Sequence, residues 1–118
     1  AVFVENHKKA AACIEENIAF TKFTQSCTLL VKDAVSAIHW MEGREDFDIV
    51  FMDPPYDRNM EADALRALSS SAIIHEGSLV IVEASLNTDL SYAVDLGYEI
   101  TKEKAYKTNQ HIFLRFTR

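Results

Sequence analysis

Short apolar runs alternate four times with stretches of helical periodicity, and this alternation limits the fold more than any other feature of the chain. Val2-Phe3-Val4 stops at Glu5, and from His7 to Phe20 the residues Ala11, Ile14 and Ile18 fall on one helical stripe. Thr28-Leu29-Leu30-Val31 reads as a second strand that runs out at Asp33. Ala34 to Met41 follows as a short helix with Ile38 turned inward, and Gly43 ends it. Phe47 to Met52 is predicted as a third strand, apolar enough for burial on both faces. Asp53-Pro54-Pro55-Tyr56 stops it, because a proline has no N–H for a central ladder. Asn59 to Ser71 carries a helical stripe through Leu65, Leu68 and Ala72. Glu76-Gly77 then turns into a fourth buried strand, Ser78 to Glu83. Residues 88–96 form a short helix closed by Gly97, and Tyr98–Tyr106 with His111–Phe116 pair as an antiparallel hairpin. The pattern predicts an α/β domain with a mostly parallel sheet and a C-terminal antiparallel hairpin. With 118 residues, 48% of them hydrophobic, it holds one small core, so residues 1–118 read as a single domain.

Several classes of protein are disfavoured by what the chain lacks. No apolar run approaches the ~20 residues of a membrane span. The opening Ala1-Val2-Phe3-Val4-Glu5 has neither the charged region nor the long apolar region of a signal peptide, so a cytoplasmic location is expected. Cys13 and Cys27 fit no metal or redox spacing and read as buried free thiols. His7, His39, His75 and His111 lie far apart without an HExxH-type pattern, so they read as surface or helix residues and no metal is expected. There is no GxSxG elbow, no GxxxxGK[ST] loop and no GxGxxG turn. The net charge of −6 argues against a protein that grips nucleic acid with its whole surface. Residues 101–118 nevertheless carry +4, which leaves −10 on the first hundred. Lys102, Lys104 and Lys107 in that tail read first as charges that blunt a sheet edge, with phosphate contact as the other reading.

In open α/β sheets ligands bind beyond the carboxyl ends of the strands. Here those ends carry Glu5, Asp33 and Asp53. A carboxylate at the first position can accept from both hydroxyls of a ribose. Asp33 can accept from an adenine amine or can cap the helix starting at Ala34. The Asp53-Pro54-Pro55-Tyr56 run is the most specific of the three. An exocyclic amine on a nucleobase is a poor nucleophile because its lone pair is delocalised into the ring. The Asp53 carboxylate and the Pro54 carbonyl, held by fixed proline geometry, can accept both of its N–H groups and stabilise positive charge developing on nitrogen. Tyr56 can stack on the base, an interaction worth roughly 1–3 kcal/mol.

These residues, with their order, resemble class I S-adenosylmethionine-dependent methyltransferases, and among them the bacterial family that methylates guanine N2 in 16S ribosomal RNA of the small subunit. The resemblance runs nearly end to end. It is carried by Val2–Glu5 with Glu16-Asn17-Ile18, by Val31-Lys32-Asp33-Ala34, by Phe47–Tyr56 and by Leu79–Glu83. Asp-Pro-Pro-Tyr is shared with DNA adenine-N6 enzymes. The spacing of 28 residues from Glu5 to Asp33 and 20 from there to Asp53 favours the ribosomal RNA group. The resemblance implies S-adenosylmethionine as cofactor, with Glu5 and Asn6 at its ribose and Asp33 and Ala34 at its adenine. Asp53 would lie beside both the cofactor and the target amine, and Asp53, Pro54, Pro55 and Tyr56 would form the catalytic strand exit. It implies 16S ribosomal RNA, in a small-subunit particle or assembly intermediate, as partner, and no membrane.

Two departures from the family pattern stand out. Lys107 occupies a place where the family's closing hairpin would have glycine. The glycine-rich loop and the strand before it are also missing, since Gly43, Gly77 and Gly97 are the only glycines and none is clustered. The chain therefore reads as a Rossmann-like methyltransferase sheet incomplete at its N-terminus, weakly active or inactive alone, with exposed strand edges through which it can dimerise. A DNA adenine-N6 methyltransferase and a non-catalytic Rossmann-like binding module are the competing readings.

Overall fold

The computed structural model describes residues 1–54 and 60–118, which fall into two compact units, Ala1–Trp40 and Met41–Arg118. In the first unit, β1 (Val2–Val4) pairs in parallel with β2 (Thr28–Leu30), Val2 opposite Thr28 and Val4 opposite Leu30. The connection is α1 (Lys8–Phe20), which buries Ala11 and half-buries Ile14 and Ile18, the stripe expected from their spacing. Its C-terminus folds back in a Schellman motif. The Lys22 N–H donates to the Ala19 carbonyl at 3.1 Å and the Phe23 N–H to the Ile18 carbonyl at 3.0 Å. That motif needs a left-handed residue, and Lys22 takes it with φ +64°. After β2, α2 (Ala34–Met41) begins directly behind Asp33.

The second unit is built on a four-stranded sheet whose order is β3 (Phe47–Met52), β4 (Ile74–Ser85), β6 (Asn109–Phe116), β5 (Tyr98–Ala105). β3 runs parallel to β4, whereas β6 is antiparallel to both β4 and β5. With β1 and β2 this gives a mixed α/β arrangement of parallel and antiparallel strands, the fold class read from the sequence. β4 starts earlier than its apolar core suggests, because the Glu76-Gly77 turn is absorbed into the strand as an irregularity. Phe47 pairs with Ile74 and Ile49 with Leu79, Gly77 takes φ +90°, and the Ser78 hydroxyl bridges to the Phe47 carbonyl at 2.7 Å. One face of this sheet is the core: Val80, Val82, Ala84, Ile112, Leu114 and Phe116 are all buried. α3 (Met60–Ser69) adds Ala64, Leu65 and Leu68 to the buried set. The 3-10 turn at Ser91–Leu96 is closed by Gly97 in the left-handed conformation, φ +98°.

Two expectations about burial need correction. β3 is not covered on both faces, since Ile49 is 62% and Phe51 56% exposed. Among the described residues β3 pairs only with β4, so it is an edge strand whose alternate side chains are left outside the core. Cys13 is likewise exposed rather than buried, and both cysteines are free thiols. On the opposite edge, β5 exposes Lys102, Glu103 and Lys104, which fits the charged-edge reading of the tail. Among the described residues no helix is long and apolar enough to cross a membrane.

Candidate functional site

The strand-end acids fall into two groups, one in each unit. In the first, Glu5 directly follows β1, and its N–H extends the ladder to the Leu30 carbonyl at 3.1 Å. Its Oε2 accepts the His7 N–H at 3.2 Å, which fixes the turn into α1. Asn6 lies exposed in that turn. Asp33 caps α2: its Oδ2 accepts the Ser36 N–H at 3.1 Å and its carbonyl accepts from Ala37 at 3.0 Å, with Ala34 as the first helical residue. The Ser36 hydroxyl and then the Ser36 N–H hold the Asp33 carboxyl below its ordinary pKa. Capping, one of the two sequence readings for Asp33, is therefore present in the structure. Glu5 and Asp33 stand at the carboxyl ends of adjacent parallel strands, both presenting carboxylates. This is an acceptor set of the right chemistry for a ribose diol and an adenine amine.

In the second unit Asp53 and the half-buried Pro54 follow β3, where Met52 lies opposite Val82 of β4. The next residue of β4 is Glu83, and Glu83 lies opposite His111 of β6. His111 Nε2 and Glu83 Oε1 are 2.9 Å apart, with side chains 24% and 23% exposed. Asp53 completes the row by register: it follows Met52, which pairs with Val82, so it falls beside Glu83 at the end of β4. Although Asp53 is exposed as a residue, partial desolvation of its carboxyl pushes its pKa up. The hydrogen bond and negative charge of Glu83 add to that rise, and the charge of His111 works against it. Glu83 moves the other way: first the His111 hydrogen bond, then that of Asp53, hold it below its usual range.

Aromatic rings fix the imidazole from two sides. Phe51 meets His111 edge-on at 6.0 Å between centroids, and Tyr106 does so at 4.9 Å. Lys104 of β5 lies opposite His111 in register, its Nζ 5.4 Å from the Tyr106 ring centroid. Beside them the Gln110 amide donates to the Ser85 carbonyl at 2.9 Å and the Thr88 carbonyl at 3.0 Å, which pins the loop leaving β4.

The sequence reading therefore names one member of this row, Asp53, and misses two. His111 is not an isolated surface histidine: β6 carries it to the carboxyl end of β4 beside Glu83. Pro55 and Tyr56 lie outside the described residues. Among the described residues no group of three or more His, Cys, Asp or Glu side chains is arranged to hold a metal ion.

Comparison with known proteins adds an independent line. The family model described as conserved hypothetical protein 95 matches residues 1–115. An uncharacterized methylase of Rickettsia prowazekii is 30% identical over 71 residues, covering 60% of this chain and 29% of that protein. The chain thus spans under a third of this curated relative. A conserved hypothetical protein of Streptococcus pyogenes is 32% identical with a TM-score of 0.87 over 98% of this chain and 71% of its own. A candidate methylase of Haemophilus influenzae shares the fold at 19% identity, TM-score 0.83, over 99% and 72% of the two chains.

Proposed function

Because the chain belongs to the conserved hypothetical protein 95 family and has the fold of class I S-adenosylmethionine-dependent methyltransferases, we propose that the protein methylates the exocyclic N2 amine of a guanine in small-subunit ribosomal RNA. The observation that carries this reading is the Asp53-Pro54 exit of β3, with the Asp53 carboxyl beside Glu83 at the carboxyl end of the sheet. S-adenosylmethionine, when bound, supplies a methyl group on a sulfonium, already electrophilic without further activation. Glu5 would hold its ribose hydroxyls, with Asn6 beside it, and Asp33 and Ala34 its adenine. Asp53 and the Pro54 carbonyl accept the two N–H groups of the target amine, drawing its lone pair out of conjugation and opposing the positive charge that grows on nitrogen. Orientation of the amine supplies much of the remaining acceleration. In the sequence reading Pro55 stiffens the exit and Tyr56 stacks on a base turned out of its helix.

The test incubates the intact protein and the present chain with labelled cofactor and either small-subunit particles, free 16S RNA or DNA, then identifies the methylated nucleoside. N2-methylguanine from the ribosomal substrate supports the reading. N6-methyladenine in DNA replaces it with the rival enzyme class. No saturable binding of S-adenosylhomocysteine by the intact protein identifies a non-catalytic module instead.

A further inference from the structure

We propose that Glu83, anchored by His111, is a positioning residue that makes Asp53 the proton acceptor of the reaction. This rests on the methyltransferase reading above and extends it, since proline-locked acceptors alone need only disperse charge. The geometry is a single row across three strands. Asp53 leaves β3, Glu83 follows Val82 on β4, and His111 faces Glu83 from β6 with 2.9 Å between Nε2 and Oε1. Nε2–H donation stabilises Glu83 as the anion. An anion beside a second carboxyl disfavours ionisation of that second group, so Asp53 is the stronger base of the pair and a proton that reaches the pair resides on Asp53 rather than on Glu83. The opposite directions of the two pKa shifts agree with this order. Phe51 and Tyr106 on either side of the imidazole keep its edge turned to Glu83.

The amine nitrogen forms its bond to the methyl carbon while the methyl–sulfur bond breaks, the electron pair staying on sulfur. The nitrogen is then cationic and releases one N–H proton to an Asp53 carboxylate oxygen. Asp53 becomes a neutral acid and donates that same hydrogen to Glu83, which remains anionic against His111. Among the described residues, the ionisable groups around the row are Asp53 from the end of β3, His111 from β6, Lys104 from β5 opposite His111, and Tyr106 beyond β5.

The test combines a titration with kinetics. Carbon-13 NMR of the side-chain carboxyls in the present chain follows Asp53 in wild type and in Glu83→Gln, and the intact protein is assayed for kcat and KM across pH with the same variant, His111→Gln and His111→Phe. In Glu83→Gln the Asp53 midpoint should fall by about one pH unit, and the acid limb of kcat should move down with it. Its kcat should drop about tenfold with both KM values unchanged. His111→Phe should reproduce much of that kcat loss, and His111→Gln, which keeps an N–H donor, should restore it. An unmoved Asp53 midpoint, or a Glu83→Gln enzyme with the wild-type pH profile, overturns the proposal while leaving the methyltransferase reading intact. Absence of any methyl transfer by the intact wild-type protein overturns that reading, and this role with it.

Discussion

The Tyr98 hydroxyl, at the start of β5, donates to the Leu65 carbonyl in the middle of α3 at 2.8 Å, fully inside the core. Burial pushes the phenol far above its ordinary pKa, so it is a neutral donor near neutral pH. Tyr98→Phe keeps the ring and its 5.1 Å packing on Phe116 but removes the donor. The expected loss is about 1 kcal/mol, read as a lower urea midpoint at an unchanged slope. A wild-type midpoint would mean that the hydrogen bond adds nothing beyond ring packing.

Lys22 offers the opposite kind of change. It holds φ +64° at the position where Schellman motifs favour glycine, while its N–H and that of Phe23 close the end of α1. Lys22→Gly relieves the Cβ strain of a left-handed residue and should raise stability by up to about 1 kcal/mol, less whatever the freer unfolded chain takes back. Thermal denaturation of the two proteins side by side checks the sign; a lower Tm for the glycine variant contradicts it.

His75 links stability to pH. Its Nδ1 lies 2.7 Å from Asp46 and its Nε2 3.2 Å from Asp48, and the Asp46 hydrogen bond, opposed by desolvation and aided by the charges of the two acids, raises its pKa above 6.5. A raised value in the folded state means that the imidazolium contributes fully below pH 6.5, and that the contribution is lost as pH climbs through the folded value. Asp46→Asn should therefore lower the Tm at pH 5.5 and lose most of that difference by pH 9. A gap that stays constant across the range would show that His75 titration plays no part.

Substrate and cofactor roles separate by mutation in the intact protein. Asp53→Ala is expected to slow methyl transfer about a hundredfold or more while S-adenosylhomocysteine affinity stays near wild type. Glu5→Ala should weaken that affinity, since under the proposed assignment two ribose hydroxyls lose their acceptor. Calorimetric titration beside single-turnover rates distinguishes the two patterns, and wild-type turnover by Asp53→Ala would remove its assigned role.

Much of this was legible in the sequence because short elements with sharp punctuation leave little freedom. β1, β3 and α2 have the bounds that their apolar runs and stop residues predict. Asp53 was legible for the same reason, as an acid placed where two prolines end a strand. Glu83 closes its own apolar run just as Glu5 does, so the strand-end rule alone could have drawn it into the site. His111 is a different matter. Its place depends on β6 lying between β4 and β5, and on a register that sets residue 111 opposite residue 83, neither of which local periodicity encodes. The early start of β4 was hidden for a related reason, since Gly77 signals a turn by composition yet serves as a kink inside a continuing strand.

The sheet order also sets a timetable for the nascent polypeptide. Because β6 follows β5 in the chain yet lies between β5 and β4, a ribosome that has released residues up to 105 has delivered two ribbons that cannot zip together until the next dozen residues arrive. During that interval the amide groups along Leu79–Ser85 destined for β6 have no mate, and any neighbouring polypeptide with an extended backbone is a competitor for them. Slowing the emergence of residues 106–116 from the ribosome should thus cost soluble yield even though no side chain has been altered.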